Sequence, residues 1–373
     1  MLRRTAWMGA LVVAALTAAG CTAAPAWQQV QLPPDVRPAS LAIAGDGLLV
    51  GGQRAGHPVL VRLSGITAGR EFALDANEPA AEDAELIAVA ADGDEVDAIG
   101  RWFGGAHSNP RLTMWDGTAS GNLLTSRPQD FWTFGGHDAG NLLGIEHLAG
   151  QPVIFGLRSE AAGIEGVVWT RAGHTWTKHP GLDPSLLSNP DRVVSFTALD
   201  GLDGRLVVAG DEVGLAGGLH QRPSVWVGSP AGPWTQALLP VPDNLPPASG
   251  QLSRATSLAC ADGAGCWVAG WVRGRAAVWS VAVGSDGAIT PAQPTLLPGT
   301  PPSGGDPTAL VTLVAGRPLV FTGAATPDLQ LGCPDGWRPL TPPAGTVTLL
   351  LASASGVYAV TGDTLQRLEP PAC

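Results

Sequence analysis

The chain has 373 residues and a formal net charge of −11, with 45% hydrophobic and only 14% charged residues. That balance excludes an extended disordered protein, which carries more charge and less apolar surface. The acidic excess speaks against a nucleic-acid partner, because phosphate contacts need clustered Lys and Arg.

Residues 1–20 read as an export signal. Arg3 and Arg4 form its positive start, and Gly9 to Thr17 is an apolar run too short to span a bilayer as a stable helix. Ala18-Ala19-Gly20-Cys21 follows and resembles the lipobox of bacterial lipoproteins. The resemblance implies cleavage before Cys21, a lipid on that cysteine, and a place on the extracytoplasmic face of the cell membrane. The alternative is an ordinary secretory signal that leaves Cys21 in the mature chain. Loss of Arg3 and Arg4 takes the net charge from −11 to −13, so the lipid and not charge would hold an anionic bilayer. Residues 21–25 are then a tether of at most ~18 Å when extended. A single domain, 26–373, would sit close to the membrane.

Seven phrases recur along that domain, each an apolar run, a small turn and a second apolar run closing on glycine. They span Leu41–Gly52, Leu86–Gly100, Leu142–Gly156, Phe196–Gly210, Thr256–Gly270, Ala309–Gly323 and Val347–Gly362. Such a phrase is a pair of buried strands. Further strand-like runs follow most of them, such as Gly166–Arg171 with His174–Pro180, Ser224–Pro230 with Pro233–Pro240, and Ala276–Gly284 with Ile289–Pro298. The unit is four strands, and a period of ~40–60 residues is that of a radial β-propeller. The seventh unit stops after three runs. Ala26–Pro34 is an orphan run that matches the fourth-strand phrases, so it is expected to complete the last blade and close the ring. The expected fold is all-β, a seven-bladed β-propeller, with six blades as the runner-up because the first repeat is degenerate.

The four cysteines after Cys21 suit an oxidising exterior. Cys260 and Cys266 flank a hairpin turn and are expected to pair, leaving Cys333 and Cys373 for each other. Propeller ligands usually bind where second-to-third-strand turns and interblade loops converge. Here those loops carry Arg101, Trp102, His107 and Arg111 in blade two, and Trp132, His137 and Asp138 in the next interblade loop. Blade four adds His220 and Arg222. Aromatic rings beside polar groups suit sugars or peptide side chains. No spacing brings His107, His137 and His220 to one ion, so no metal and no cofactor is expected. The acids Asp92, Asp94, Glu95 and Asp97 read as a solvated turn.

At the Trp phrases the chain resembles neuraminidase-type propellers with BNR or Asp-box repeats, and the exported propeller lipoproteins of actinobacteria. Gly173-x-Thr175-Trp176 matches the end of the Asp box, while Trp169 and Arg171 stand where its Ser and Asp belong. The sialidase nucleophile that the resemblance implies is a tyrosine. The single tyrosine, Tyr358, lies in an apolar run and is expected to pack between blades. The reading is a non-catalytic, lipid-anchored propeller that binds a protein partner or an envelope glycan. The alternatives are a glycan-cleaving hydrolase of the sialidase-like type and a scaffold subunit of an envelope assembly complex.

Overall fold

The computed structural model describes residues 26–104, 109–161, 163–245, 253–301 and 308–373. The export signal, Cys21, the tether and His107 lie outside them. Within them the strands form seven sheets. Blade one is Val36–Ala44, Gly47–Arg54, His57–Ser64 and Thr67–Glu71, so the first repeat is complete and the count is seven. Blade two is Glu85–Asp92, Glu95–Gly104, Asn109–Thr118 and Leu123–Ser126, with Ala73–Asp75 added in parallel on its outer edge. Blade three is Ala139–Leu148, Gln151–Glu160, Gly163–Ala172 and Thr175–His179; blade four is Arg192–Leu202, Arg205–Gly214, His220–Gly228 and Trp234–Leu238. Blade five is Arg254–Ala261, Gly265–Val272 and Arg275–Val283, followed by a broken edge, Ile289–Pro291 and Thr295–Leu296. Pro291 and Pro294 lack the N–H that a continuous ladder needs. Blade six is Ala309–Val314, Arg317–Thr322, Asp328–Cys333 and Gly336–Leu340.

Blade seven takes Val347–Ser353, Gly356–Thr361 and Thr364–Leu368 from the C-terminal end, and Gln28–Gln29 from the N-terminal end. Gln28 faces Arg367 and Gln29 faces Gln366. Trp27 packs on the blade six–seven core, and its indole N–H donates to the Thr341 carbonyl at 2.9 Å. The first strands of consecutive blades touch one another around the ring, and that of blade seven meets that of blade one. The hydrophobic clusters follow the same geometry, because each joins two neighbouring blades. Second strands are buried on both sides, which is why they read as unbroken apolar runs.

The recurring glycine has a steric cause. In blades one to five it pairs with the residue just before a bulge in the first strand. A Cβ on Gly52, Gly210 or Gly270 would lie 2.0, 1.9 or 2.1 Å from the carbonyl oxygen of Arg37, Ser195 or Arg254. In blades six and seven the equivalent positions are Thr322 and Thr361, and the glycine follows one residue later.

Tryptophans of the third strands also do more than pack. The indole N–H of Trp115, Trp169, Trp226 and Trp279 donates to the carbonyl of Asp75, Thr133, Ser185 and Pro240, at 2.7–3.0 Å. Each acceptor lies in the segment that crosses in from the preceding blade. A buried indole thereby satisfies its donor and pins the crossover at once. Tyr358 is buried, with its hydroxyl 3.0 Å from Ser355 Oγ.

Both disulfides form as paired in the sequence. Cys260 and Cys266 sit directly opposite in their hairpin. Cys333–Cys373 fastens the chain end to blade six.

In the acidic turn Asp92 and Asp94 are exposed, as read, but the acids that follow differ from the solvated reading. Asp97 is buried, its carboxylate 2.9 Å from His147 Nε2 and hydrogen-bonded by Arg171. Arg171 also bonds Glu95 and lies 3.7 Å from Asp116. Asp94 accepts from the N–H and hydroxyl of Ser120. Asp97 and Glu95 therefore seal blade two onto blade three, while Asp94 ties two turns of blade two. Hydropathy along one strand carries no sign of a partner that lies in the next blade.

Two further acids stand at equivalent first-strand positions, three residues from the glycine register: Glu146, opposite Val153, and Asp200, opposite Val207. Burial pushes the Glu146 carboxyl well above the usual range, and the Asp200 charge adds to it. Burial pushes Asp200 up to about 6, against hydrogen bonds from the backbone N–H of Cys260 and Gly201. A raised acid binds its proton more tightly in the folded state, so the two make stability fall as pH rises from about 4 through the folded values. Glu146→Gln is expected to raise the thermal midpoint relative to the native protein at pH 7.5, with the gain vanishing toward pH 4. Equal gains at both pH values would show that the effect is not one of ionisation.

Candidate functional site

Second-to-third-strand turns and interblade crossovers lie on one side of the ring, and first-to-second and third-to-fourth turns on the other. On the former side, blades two and three build an aromatic and cationic cluster. Phe131–Phe134 is a short helix in the crossover, capped by Asp130, whose carboxylate accepts from the Trp132 N–H at 2.9 Å. Phe134 turns inward and packs on Trp169 and Trp176, with ring centroids 5.7 and 6.3 Å away. Phe131 and Trp132 turn outward, 49% and 59% exposed, and meet edge to face at 5.1 Å. Trp169 holds the Thr133 carbonyl, and Lys178 Nζ donates to the Trp132 carbonyl at 2.9 Å. Four restraints thus fix one helical turn.

Four of the candidate residues named from the sequence converge here. Arg111 lies with its guanidinium 5.1 Å above the Phe131 ring. Trp102 is its cross-strand partner, with its ring folded over Gly104. Trp132 is 6.4 Å from the His137 ring. Asp138 borders the cluster and is bonded by Arg158 at 3.3 Å, while Arg158 also holds Glu160 at 2.6 Å. Arg101 falls on the other side of the same hairpin, over Phe103 and 3.6 Å from Glu85.

His220 and Arg222 stand apart in blade four. Arg222 and Arg192 both bind Glu212, which also accepts from Gln236 at 3.0 Å. Burial pushes the Glu212 carboxyl up, but these donors outweigh it and hold it below its usual value. This network braces the blade four turn, beside the exposed Leu215 and Leu219. No three His, Cys, Asp or Glu side chains among the described residues are grouped as metal ligands.

Sequence reasoning missed Phe131 and Lys178 as members of the cluster. The signal was present in Phe131-Trp132-Thr133-Phe134, whose three aromatic rings spread around one turn and cannot all face inward. It also missed a cleft of about 810 Å³ at the ring closure, between Gln29–Arg37, the Gln53–Gly56 turn and Asp363–Leu365. A smaller cleft between blades three and four contains Glu160 and Glu165. Both acids there are engaged, Glu160 with Arg158 and Glu165 with the Gly181 N–H.

No family model and no curated protein matches the chain. Among solved structures it is similar to "YCF48 bound to D1 peptide", with 15% identity over 92% of this chain and 96% of that one, and a TM-score of 0.54. A polysaccharide lyase, Uly1, shares 12% identity over 89% of this chain and 77% of that one; its TM-score of 0.42 is too low to bear on the reading. The first likeness agrees with the fold that the seven sheets define, a seven-bladed β-propeller, and shows nothing finer.

Proposed function

We propose that the protein is a non-catalytic, lipid-anchored propeller on the extracytoplasmic side of a bacterial membrane, and that it binds a protein partner through its loop-rich face. The observation that carries this reading is the outward pair Phe131 and Trp132, fixed on a braced turn. Rigid, exposed aromatic rings are what binding hot spots are made of, because little conformational freedom remains to be lost. A solved propeller that shares the fold is described with a bound peptide.

The anchor rests on the apolar run ending at Cys21. Topology supports a consistent orientation. Gln28 pairs with Arg367, whose guanidinium Nε donates to the Ser355 carbonyl in the first-to-second-strand turn of blade seven at 3.0 Å. Ala26 and Trp27, where the described chain begins, therefore lie toward the side opposite the aromatic cluster. A short tether there would press that side to the bilayer and turn the cluster outward.

Photo-crosslinking from intact cells tests the reading. A benzophenone side chain at position 131 is expected to capture a discrete protein, and one at position 355 is not. Capture of glycan alone, or equal capture from both faces, would replace the protein partner. Labelled palmitate should enter the chain and be lost in Cys21→Ser.

A further inference from the structure

The cluster also specifies what kind of protein segment it fits. We infer that Trp102, Arg111, Phe131 and Trp132 dock an acidic segment of a partner protein through one apolar anchor side chain and an adjacent carboxylate. This rests on the protein-partner reading and goes beyond it by naming the chemistry of the segment.

Charge makes the first argument. The chain is acidic overall, at −11, and many of its arginines are spent on its own carboxylates, as Arg54, Arg127, Arg158, Arg171, Arg192 and Arg222 show. Arg111 is different. No carboxylate lies within ion-pair distance of it among the described residues, and its one recorded partner is the Phe131 ring. Lys178 likewise holds a backbone carbonyl and no carboxylate. Asp138 and Glu165 also act on Lys178 through their charge, so Arg111 alone stands beside the exposed rings as a cation not engaged by the protein's own acids among the described residues. An acidic segment is the complementary occupant; a basic one would meet repulsion from Arg111.

Geometry makes the second. A guanidinium laid over a ring is held in plane while its N–H fork stays available for bidentate bonds to a carboxylate. Beside it, the edge-to-face Phe131 and Trp132 rings, with Trp102 across the hairpin, form an apolar surface for a leucine or aromatic side chain. The rings are placed before binding by the Asp130 cap, the Trp169 and Lys178 bonds to the helix carbonyls and the inward Phe134. The two recognition elements lie side by side, 5.1 Å apart at Arg111 and Phe131. One short extended segment can reach both.

The test uses the purified propeller and a displayed library of random 12-residue peptides. Selection on the native protein is expected to enrich Asp and Glu next to Leu, Phe or Trp, and selection on Arg111→Glu or Trp132→Ala is expected to lose that enrichment. For an enriched peptide, fluorescence anisotropy should show Trp132→Ala weakening binding by about 30-fold. Arg111→Glu should weaken it by at least as much, and Arg111→Lys by less. Affinity should fall between 50 and 300 mM NaCl. Trp132 is exposed and Arg111 half-buried, and unchanged thermal midpoints will show that the variants fold. The inference is overturned by enrichment of basic peptides, by no enrichment over the two variants, or by affinity indifferent to both substitutions. A partner crosslinked at position 131 through a neutral or basic segment would sink this inference while leaving the protein-partner reading intact. Capture of glycan alone would sink both.

Discussion

Replacing Arg171 with leucine is expected to cost about 3–5 kcal/mol of folding stability, the range for stranding one member of a buried ion pair. The guanidinium is only 9% exposed and bonds both Asp97 and Glu95, with Asp116 3.7 Å away. Without it, Asp97 keeps His147 as its remaining bonded partner. Its carboxylate would stay in the blade two–three seam with little to offset its lost hydration. Asp116 is better protected: burial pushes it up, but hydrogen bonds from Arg127 and His174 hold it below its usual value. The measurement is urea unfolding of the native protein, Arg171→Leu, Asp97→Asn and the double variant. The expected result is strong coupling, so that the leucine costs much less once Asp97 is neutral. Additive losses would mean that Arg171 acts through packing on Trp176, 5.7 Å from its guanidinium carbon, and not through charge.

The second large effect is steric. Gly210→Ala should lower stability by roughly 3 kcal/mol, at the upper end of the usual range for single substitutions. The new methyl group would stand 1.9 Å from the Ser195 carbonyl oxygen, and neither can turn away, because one is bonded directly to a Cα and the other belongs to the backbone of the paired strand. Relief requires opening the bulge between Phe196 and Ala198, whose extra residue, Thr197, donates its hydroxyl to Ala255 in blade five at 2.9 Å. Strain at one glycine therefore reaches the neighbouring blade. Comparing urea midpoints of Gly210→Ala and Gly93→Ala checks this, because a Cβ on Gly93 meets nothing within 4 Å and bears only the cost of its left-handed backbone, φ +57°. A smaller loss at position 210 than at 93 would refute the close-approach account.

The architecture was readable because its determinants are local and repeat. Apolar runs mark strands buried on both sides, small turns mark hairpins, and the orphan run at Ala26–Pro34 needed only a place in a ring to be explained. The cysteine pairs followed from hairpin register and elimination. What escaped was set by neighbours distant in sequence. Asp97 follows an acidic turn, and the arrival of His147 and Arg171 from the next blade makes it a buried, paired group. Phe131 and Phe134 share one helical turn, and only the docking of that turn on Trp169 decides which faces outward. Of the face residues, Trp102, Arg111, Trp132 and His137 come together because one hairpin and the following crossover carry them all. His220 and Arg222 belong to a blade two places further round, and a shared rim does not make a shared site.

The closing ladder has a mechanical consequence. Among the described residues the N-terminal segment pairs with blade seven through Gln28 and Gln29, with Trp27 and the Val30 N–H to Leu365 as reinforcement, before Gln31 bridges to Thr67 of blade one. Any force on that end is carried first by a clasp two residues long, and only then by the three strands behind it. Their own end is fastened to blade six by Cys333–Cys373. Under load the clasp should slip free while every covalently continuous hairpin stays intact, giving the molecule a weak link that can snap shut again when tension is released.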